Sequence, residues 1–178
     1  MRYFVTGEQN RQLLINTLIL MFLAYVLLLC LSNALMFFHK MELNSESVLT
    51  YYLGSEQAFT QPRSYQSLLE VSHFHLFAMG MLVLTLTHLM LMTEMPTLVK
   101  VWLSVIVYGS AIADEAAGWL ICYVHPLFAY FKILSFLVFE TSLIALVLIV
   151  LYSLLKARSR MRSASIPKSK SARARKAR

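Results

Sequence analysis

Histidine and carboxylate side chains that interrupt long apolar stretches are the residues of this sequence most able to do chemistry. Imidazole nitrogens bind metal ions or haem iron and exchange protons near neutral pH, and buried carboxyl groups carry protons. Ionisable residues are costly in apolar surroundings, so each is a candidate for a functional role. The candidates inside or at the ends of apolar stretches are His39, Glu70, His73, His75, Asp114, Glu115, His125 and Glu140.

Four apolar blocks carry or flank these residues, at positions 13–38, 68–92, 98–123 and 127–155. Each is at least as long as the roughly 20 residues with which a helix crosses a bilayer core about 30 Å thick. In lipid, blocks of this length must satisfy their backbone hydrogen bonds as helices. Hydrophobic residues make up 58% of the chain and charged residues only 14%, which is typical of a membrane protein. The sequence therefore predicts an all-α fold, an integral membrane four-helix bundle over residues 13–155.

The basic residues are concentrated at one end of the chain, where ten of the sixteen Lys and Arg residues lie in 156–178. Because basic residues collect in the cytoplasm, we expect both termini inside and the loop 39–67 outside a bacterial inner membrane. Residues 1–12 are a short cytoplasmic lead, and 156–178 are predicted to be a disordered tail that contacts anionic lipid. No aromatic or folded module accompanies this tail, so nucleic acid is not an expected partner.

The connections between blocks predict which helices are neighbours. The links at 93–97 and 124–126 are short, so the second, third and fourth helices should pack side by side in antiparallel order. The long loop is predicted to hold a short interfacial helix at 47–53, with Tyr51 and Tyr52 in the headgroup layer. Asn44, Ser45 and Gly54 bracket that helix.

Helical periodicity predicts that one side of the second block faces the bundle, that the third block carries a matching stripe, and that the first block has one face leading to His39. His73 lies on that side of the second block, whereas His75 points about 200° away and is left to a partner subunit, a lipid headgroup or the first helix. Small residues near Asp114 and Glu115 leave room for close helix packing or for a flat group. The face of the first block consists of Tyr25, Leu28, Ser32 and Leu35. The face of the second block consists of Glu70, His73, Phe77, Gly80, Leu84 and Thr87. The stripe of the third block consists of Lys100, Ser104, Tyr108, Ala111, Glu115, Gly118 and Cys122.

Electron transfer is the first functional hypothesis. A b-type haem in a four-helix bundle takes axial histidines from different helices, and His73 with His125 or with His39 could supply them. His73 is also the candidate ligand of a metal ion, with Glu70 one turn earlier to orient its imidazole. Against this hypothesis, His125 precedes a proline in a turn. A second haem lacks ligands, because His88 has no histidine partner at its depth.

Two further hypotheses remain open. Asp114, Glu115 and Glu140 resemble a proton relay, which suggests proton or ion passage or a quinone-type site. Because Asp114 and Glu115 are adjacent, at least one should be protonated or paired. Lys132 is expected to be too far along its helix for contact and to extend toward the interface. The last hypothesis is a structural accessory subunit of a larger complex with other membrane or periplasmic subunits. No nucleophile–base arrangement points to a stand-alone enzyme.

The second block opens with the segment E-V-x-H-x-H-L-F-x-M-G, and further short motifs stand at Ala113-Asp114, at Trp119-Leu120 and at 123–130. On these motifs the chain resembles a group of small bacterial four-span membrane proteins associated with respiratory or cytochrome-containing systems. The resemblance spans roughly the second to the fourth helix. It implies a subunit of a redox complex, and it marks Glu70, His73, His75 and Asp114 as the positions to test.

Overall fold

The computed structural model describes the backbone of residues 2–57 and 59–164, with side chains from residue 11 to residue 160. Five helices follow one another along the chain, and the described residues include no strand. They are α1 (Arg2–Lys40), α2 (Ser45–Leu53), α3 (Tyr65–Leu91), α4 (Thr97–Tyr123) and α5 (Phe128–Ala164).

Four of these helices are long and apolar enough to cross a membrane: Arg11–Lys40, Tyr65–Leu91, Thr97–Tyr123 and Phe128–Arg160. The predicted all-α, four-span architecture is confirmed. Helix α5 continues beyond the predicted boundary at residue 155 as far as Ala164, and residues 165–178 of the predicted tail lie outside the described residues.

Helix α5 is the centre of the bundle, because it packs against each of the other four helices. The turn between α4 and α5 is held by His125, whose Nδ1 accepts a hydrogen bond from the Leu127 backbone amide at 3.1 Å. This tight turn makes α4 and α5 an antiparallel hairpin, as predicted. Helix α3 packs on both members of the hairpin, whereas α1 packs chiefly on α5.

The core divides into two apolar layers. One layer lies at the α2 end of the bundle, where the Phe37 ring stacks on Phe136 with 3.9 Å between centroids. The other fills the rest of the bundle with side chains such as Val83, Val107 and Leu146, none of which is exposed. On α4 and α5, the paired residues Asp114, Glu115 and Lys132 lie in the α2 half of the bundle.

Helix α2 ends where the sequence predicts, but it begins at Ser45, two residues before the predicted start at residue 47. The Asn44 side chain caps it by accepting a hydrogen bond from the Ser47 amide at 2.7 Å, and Gly54 ends it with φ of +76°. One face of α2 lies on α4, where the Tyr52 ring covers Gly118 so closely that a Cβ there would lie 2.9 Å from the ring. The patch of small residues on α4 thus receives a flat group, and that group is the Tyr52 ring.

The predicted bundle-facing side of α3 is wrong. On α3, Phe77 is 74% exposed and Gly80 has no neighbour within 4 Å, so most of the predicted stripe faces away from the bundle. On α1, Tyr25 and Leu28 are exposed while Val26 is fully buried. The physical reason is that lipid-facing positions in a membrane protein are as apolar as core positions, so hydrophobic periodicity does not tell one face from the other.

The contact between α2 and α4 generates a stability prediction. Gly118→Leu should lower the free energy of unfolding by about 1–3 kcal/mol, because the new side chain displaces the buried Tyr52 ring. The measurement is the unfolding midpoint in a detergent titration. Gly80→Leu is the matched control, since open space at that position accepts a side chain without strain. Equal losses in both variants would contradict this packing.

Candidate functional site

A cleft of about 400 Å³ lies in the α2 half of the bundle. Its walls come from α1, α3, α4 and α5, and α2 covers it. Met36 of α1 and Val71 of α3 both line the cleft and are both exposed on the outer surface of the bundle, and α1 packs chiefly on α5 rather than on α3. The cleft is thus open sideways toward the bilayer.

His75 and Glu115 meet on the cleft wall, with 2.6 Å between Nδ1 and Oε1. The Glu115 side chain is only 13% exposed, whereas the His75 side chain is 47% exposed. A carboxylate at Nδ1 fixes the proton on that nitrogen and leaves Nε2 as the ring nitrogen available to a ligand. The pair can therefore exchange a proton with a group in the cleft.

Asp114 and Lys132 form a second ion pair beside the first, with 2.8 Å between Oδ1 and Nζ. The Lys132 ammonium also donates to the Asp114 backbone carbonyl at 3.0 Å, and the Ser135 hydroxyl donates to Oδ1 at 3.4 Å. Both adjacent acids predicted from the sequence, Asp114 and Glu115, are thus paired.

The prediction that Lys132 extends toward the interface is wrong, since this side chain is only 9% exposed inside the bundle. The tight turn brings the start of α5 alongside the end of α4. From there, the flexible four-carbon stem of Lys132 reaches back along α4 to Asp114.

Aromatic side chains line the cleft next to the ion pairs. The Trp119 indole donates to the Ser72 hydroxyl at 2.8 Å and meets the Tyr65 ring edge to face at 5.4 Å. The Tyr52 ring lies above Gly118 on the same wall. These rings give the cleft flat apolar surfaces within reach of charged groups.

A cation–π stack lies at the edge of the cleft, at the α2 end of the bundle. The Arg63 guanidinium lies 4.2 Å from the centre of the Tyr51 ring, and the Lys40 ammonium lies 5.9 Å from it. All three residues also border a larger polar basin of about 770 Å³ at the α2 end. The stack therefore separates the lipid-open cleft from the basin.

Glu140 lies behind the cleft wall. It is 92% buried, and its Oε2 accepts a hydrogen bond of 3.5 Å from Asn33, which does line the cleft. The structure thus joins this predicted residue to the site through an α1 side chain that the sequence analysis did not single out.

The histidines do not converge as the haem hypothesis requires. His73 is exposed on the outer face of α3 beside Phe74, and Glu70 bonds to Gln66 rather than to His73. His39 and His125 are exposed, and neither lines the cleft. The expected bundle-facing position of His73 is wrong; it is His75, two residues later, that turns inward. A haem held inside the bundle by two of these histidines does not fit.

In the described part of the chain, no group of three His, Cys, Asp or Glu side chains is placed so that it could hold a metal ion. The roles of His73 as a metal or haem ligand and of Glu70 as its orienting partner stay predictions.

Lys132, Ser72, Trp119 and Asn33 are the site residues that sequence reasoning missed. The signal for Lys132 was available, because a lysine within an apolar block must find an acid or reach the interface. The other three are uncharged, and only the packing of α1 and α3 around the hairpin brings them to the cleft.

Two ionisable groups outside the spans have shifted pKa values. Burial raises the pKa of Tyr52, while the nearby Lys132 ammonium opposes that rise. Hydrogen bonds from Arg160 and then Lys156 lower the pKa of Glu94, whose carboxylate joins the α3–α4 loop to α5 at 2.6 and 3.3 Å.

Residues 42–161 match the Aq_1264_TM family model, described as a transmembrane helical domain. The matched range begins after α1 and includes α2, α3, α4 and most of α5. No curated protein and no solved structure shows significant similarity to the chain.

The buried ion pair generates a double-mutant prediction. Asp114→Ala should lower the free energy of unfolding by about 3–5 kcal/mol, because it leaves the Lys132 ammonium buried without a counter-charge. Lys132→Met in the same chain should restore most of the loss, as measured by unfolding titrations of the single and double variants. The exposed pair of Glu94 and Arg160 is the control, where Glu94→Ala should change little. Additive losses at Asp114 and Lys132 would argue against the pair.

The buried phenol generates a prediction about alkaline pH. Because the folded state holds the Tyr52 proton more tightly, stability from this group is constant below the unfolded pKa of about 10 and falls as the pH rises above it. The slope from one such group reaches about 1.4 kcal/mol per pH unit. Tyr52→Phe should reduce this fall in the free energy of unfolding when it is measured from pH 8 to pH 11, roughly the range that brackets the phenol titration. If the free energy of unfolding fell equally steeply with pH in wild type and in Tyr52→Phe, Tyr52 would ionise as easily in the folded state as in the unfolded state.

Proposed function

The chain belongs to the Aq_1264_TM family of transmembrane helical domains, and from that premise we propose that it is a small multi-pass membrane subunit that binds a quinone-type head group in its cleft. It acts within a redox-type complex of the bacterial inner membrane, where other subunits supply the electrons. Both termini face the cytoplasm, and the α2 end faces outward, because Arg11, Lys100 and Lys156 lie at the helix ends opposite α2.

The observation that carries this proposal is the half-exposed His75–Glu115 pair on the wall of a cleft open to lipid. A quinone has a flat ring with two carbonyl oxygens and a long apolar tail. The ring fits against Trp119 and Tyr52, and the tail leaves between Met36 and Val71 into the bilayer. A water-soluble ligand would have no use for that sideways opening.

The imidazole suits both forms of such a ligand. With Nδ1–H held by Glu115, a protonated His75 donates from Nε2 to a quinone carbonyl, and a neutral His75 accepts at Nε2 from a quinol hydroxyl. The carboxylate of Glu115 stabilises the imidazolium in the first case. His75 is therefore the group that forms the specific hydrogen bond, and it exchanges the proton with the head group.

The other hypotheses receive less support. A haem or metal subunit would rely on His73, which lies on the outer face of α3. A purely structural accessory subunit leaves the ion-paired, ligand-sized cleft without a role. A quinone-type ligand accounts for the polar pairs, the aromatic wall and the lateral opening together.

Tryptophan fluorescence tests the proposal, because the chain has two tryptophans and only Trp119 lines the cleft. In Trp102→Phe protein in nanodiscs, a short-chain quinone such as decylubiquinone should quench the remaining Trp119 saturably. Adding His75→Ala should raise the quinone concentration at half-saturation about tenfold. This change is equivalent to about 1.4 kcal/mol, the contribution of one charge-assisted hydrogen bond.

Three controls make this experiment decisive. Trp119→Phe protein should show only linear quenching of lipid-exposed Trp102, caused by quinone dissolved in the bilayer. His73→Ala should bind as the parent does, since that ring lies outside the cleft. Linear quenching of Trp119 in the parent would refute the quinone proposal. A reduced-minus-oxidised b-type absorbance band that disappears in His73→Ala would establish the haem alternative instead.

A further inference from the structure

Glu140 is the acid of the site with no ion-pair partner among the described residues. Its Oε1 atom is buried and forms no hydrogen bond in the described part of the chain, while Oε2 accepts only the long bond from Asn33. The residue lies about 18 Å along α5 from Phe128, near the middle of the bundle.

The charges around Glu140 leave its carboxylate without compensation. The Lys132 ammonium is taken by Asp114, and the His75 imidazole is taken by Glu115. The ionisable groups that interact with Glu140 from neighbouring helices are the Cys30 thiol of α1 and the Asp114 carboxylate of α4, and neither is a cation. A bare carboxylate there would be a buried charge facing another negative charge, which is a costly arrangement in a bilayer interior.

We propose that Glu140 is a proton-storing residue, a neutral carboxylic acid that keeps one exchangeable proton behind the wall of the cleft. With that proton in place, and with His75 protonated, the set formed with Asp114, Glu115 and Lys132 is electrically neutral. The five ionisable groups then consist of two ion pairs and one uncharged acid.

Asn33 connects the stored proton to the cleft. Its Nδ2 donates to Oε2 of Glu140, and the residue also lines the cleft, so one side chain separates the acid from water in the cleft. When the Asn33 side chain turns away, rotation of the carboxyl group presents the acid proton directly to that water, without moving a helix. This step rests on the proposed function, in which Glu140 resupplies His75 after it has given up a proton.

The Glu140 proton exchanges by one route, which leads toward the cleft. At or beyond the depth of Glu140, the buried polar side chains of the described spans are Thr87, Ser110 and Ser142, and each bonds to a carbonyl of its own helix. The other buried positions there, such as Val107 and Leu146, are apolar. Glu140 therefore holds a proton for the cleft and does not pass it across the bilayer.

Infrared spectroscopy of ligand-free protein tests this inference. In a detergent without ester carbonyls, wild type at neutral pH should show the C=O band of a protonated carboxyl group that shifts downward in D₂O. Glu140→Gln should remove that band, and Asn33→Ala should retain it at a shifted frequency because one hydrogen bond is lost. Circular dichroism checks that each variant is folded.

Glu94→Gln is the matched control, since the exposed and ion-paired Glu94 is ionised at neutral pH and contributes no such band. Absence of the band from wild type, or its persistence in folded Glu140→Gln protein, would overturn the inference. Because no quinone is present, failure here leaves the ligand proposal intact. Conversely, Glu140→Gln should bind decylubiquinone within about twofold of its Trp102→Phe parent, a difference of about 0.4 kcal/mol.

Discussion

The ion pair between Asp114 and Lys132 is the interaction on which the arrangement of the site depends. It joins α4 to α5 a few turns from their connection, at a depth where both charges are largely buried. Because each partner would be intolerable alone, the pair fixes the register of the hairpin. That register places Glu115 on the cleft wall opposite His75 and puts Gly118 under the Tyr52 ring. The acid, the base and the aromatic cover thus follow from one buried contact.

The site is a series of layers that become less polar with depth. The stack of Arg63, Tyr51 and Lys40 faces a polar basin, the cleft behind it combines ion pairs with aromatic rings, and Glu140 lies one side chain deeper. Below Glu140 the bundle is filled by aliphatic side chains. Such an order is what a low-dielectric interior permits, since each charge is either near water or matched by an opposite charge.

Much of the architecture could be predicted from the sequence, because hydrocarbon imposes strict rules on helix length and backbone pairing. The predicted block at 98–123 differs by one residue from α4, and Asn44 and Gly54 bound α2 as expected. The orientation of each helix about its own axis was not predictable by the same reasoning. Lipid and core accept the same side chains, so the polar spacing of Glu70 and His73 was interpreted as an inward face although it points outward. Long-range contacts such as that between Asn33 and Glu140 leave no local pattern in the sequence.

The attachment of α1 to the rest of the bundle has a consequence for biogenesis. Asn33 and Glu140 are 107 positions apart, and α1 rests chiefly on α5, the last helix to leave the ribosome. During synthesis α1 is therefore in the bilayer through the translation of three further helices before its docking surface exists. Helices α3 and α4 can associate in that interval, but the two-sided cleft cannot form. A nascent chain arrested before α5 would leave Asp114 without its Lys132 counter-charge, and maturation of the site is thus the final event of insertion.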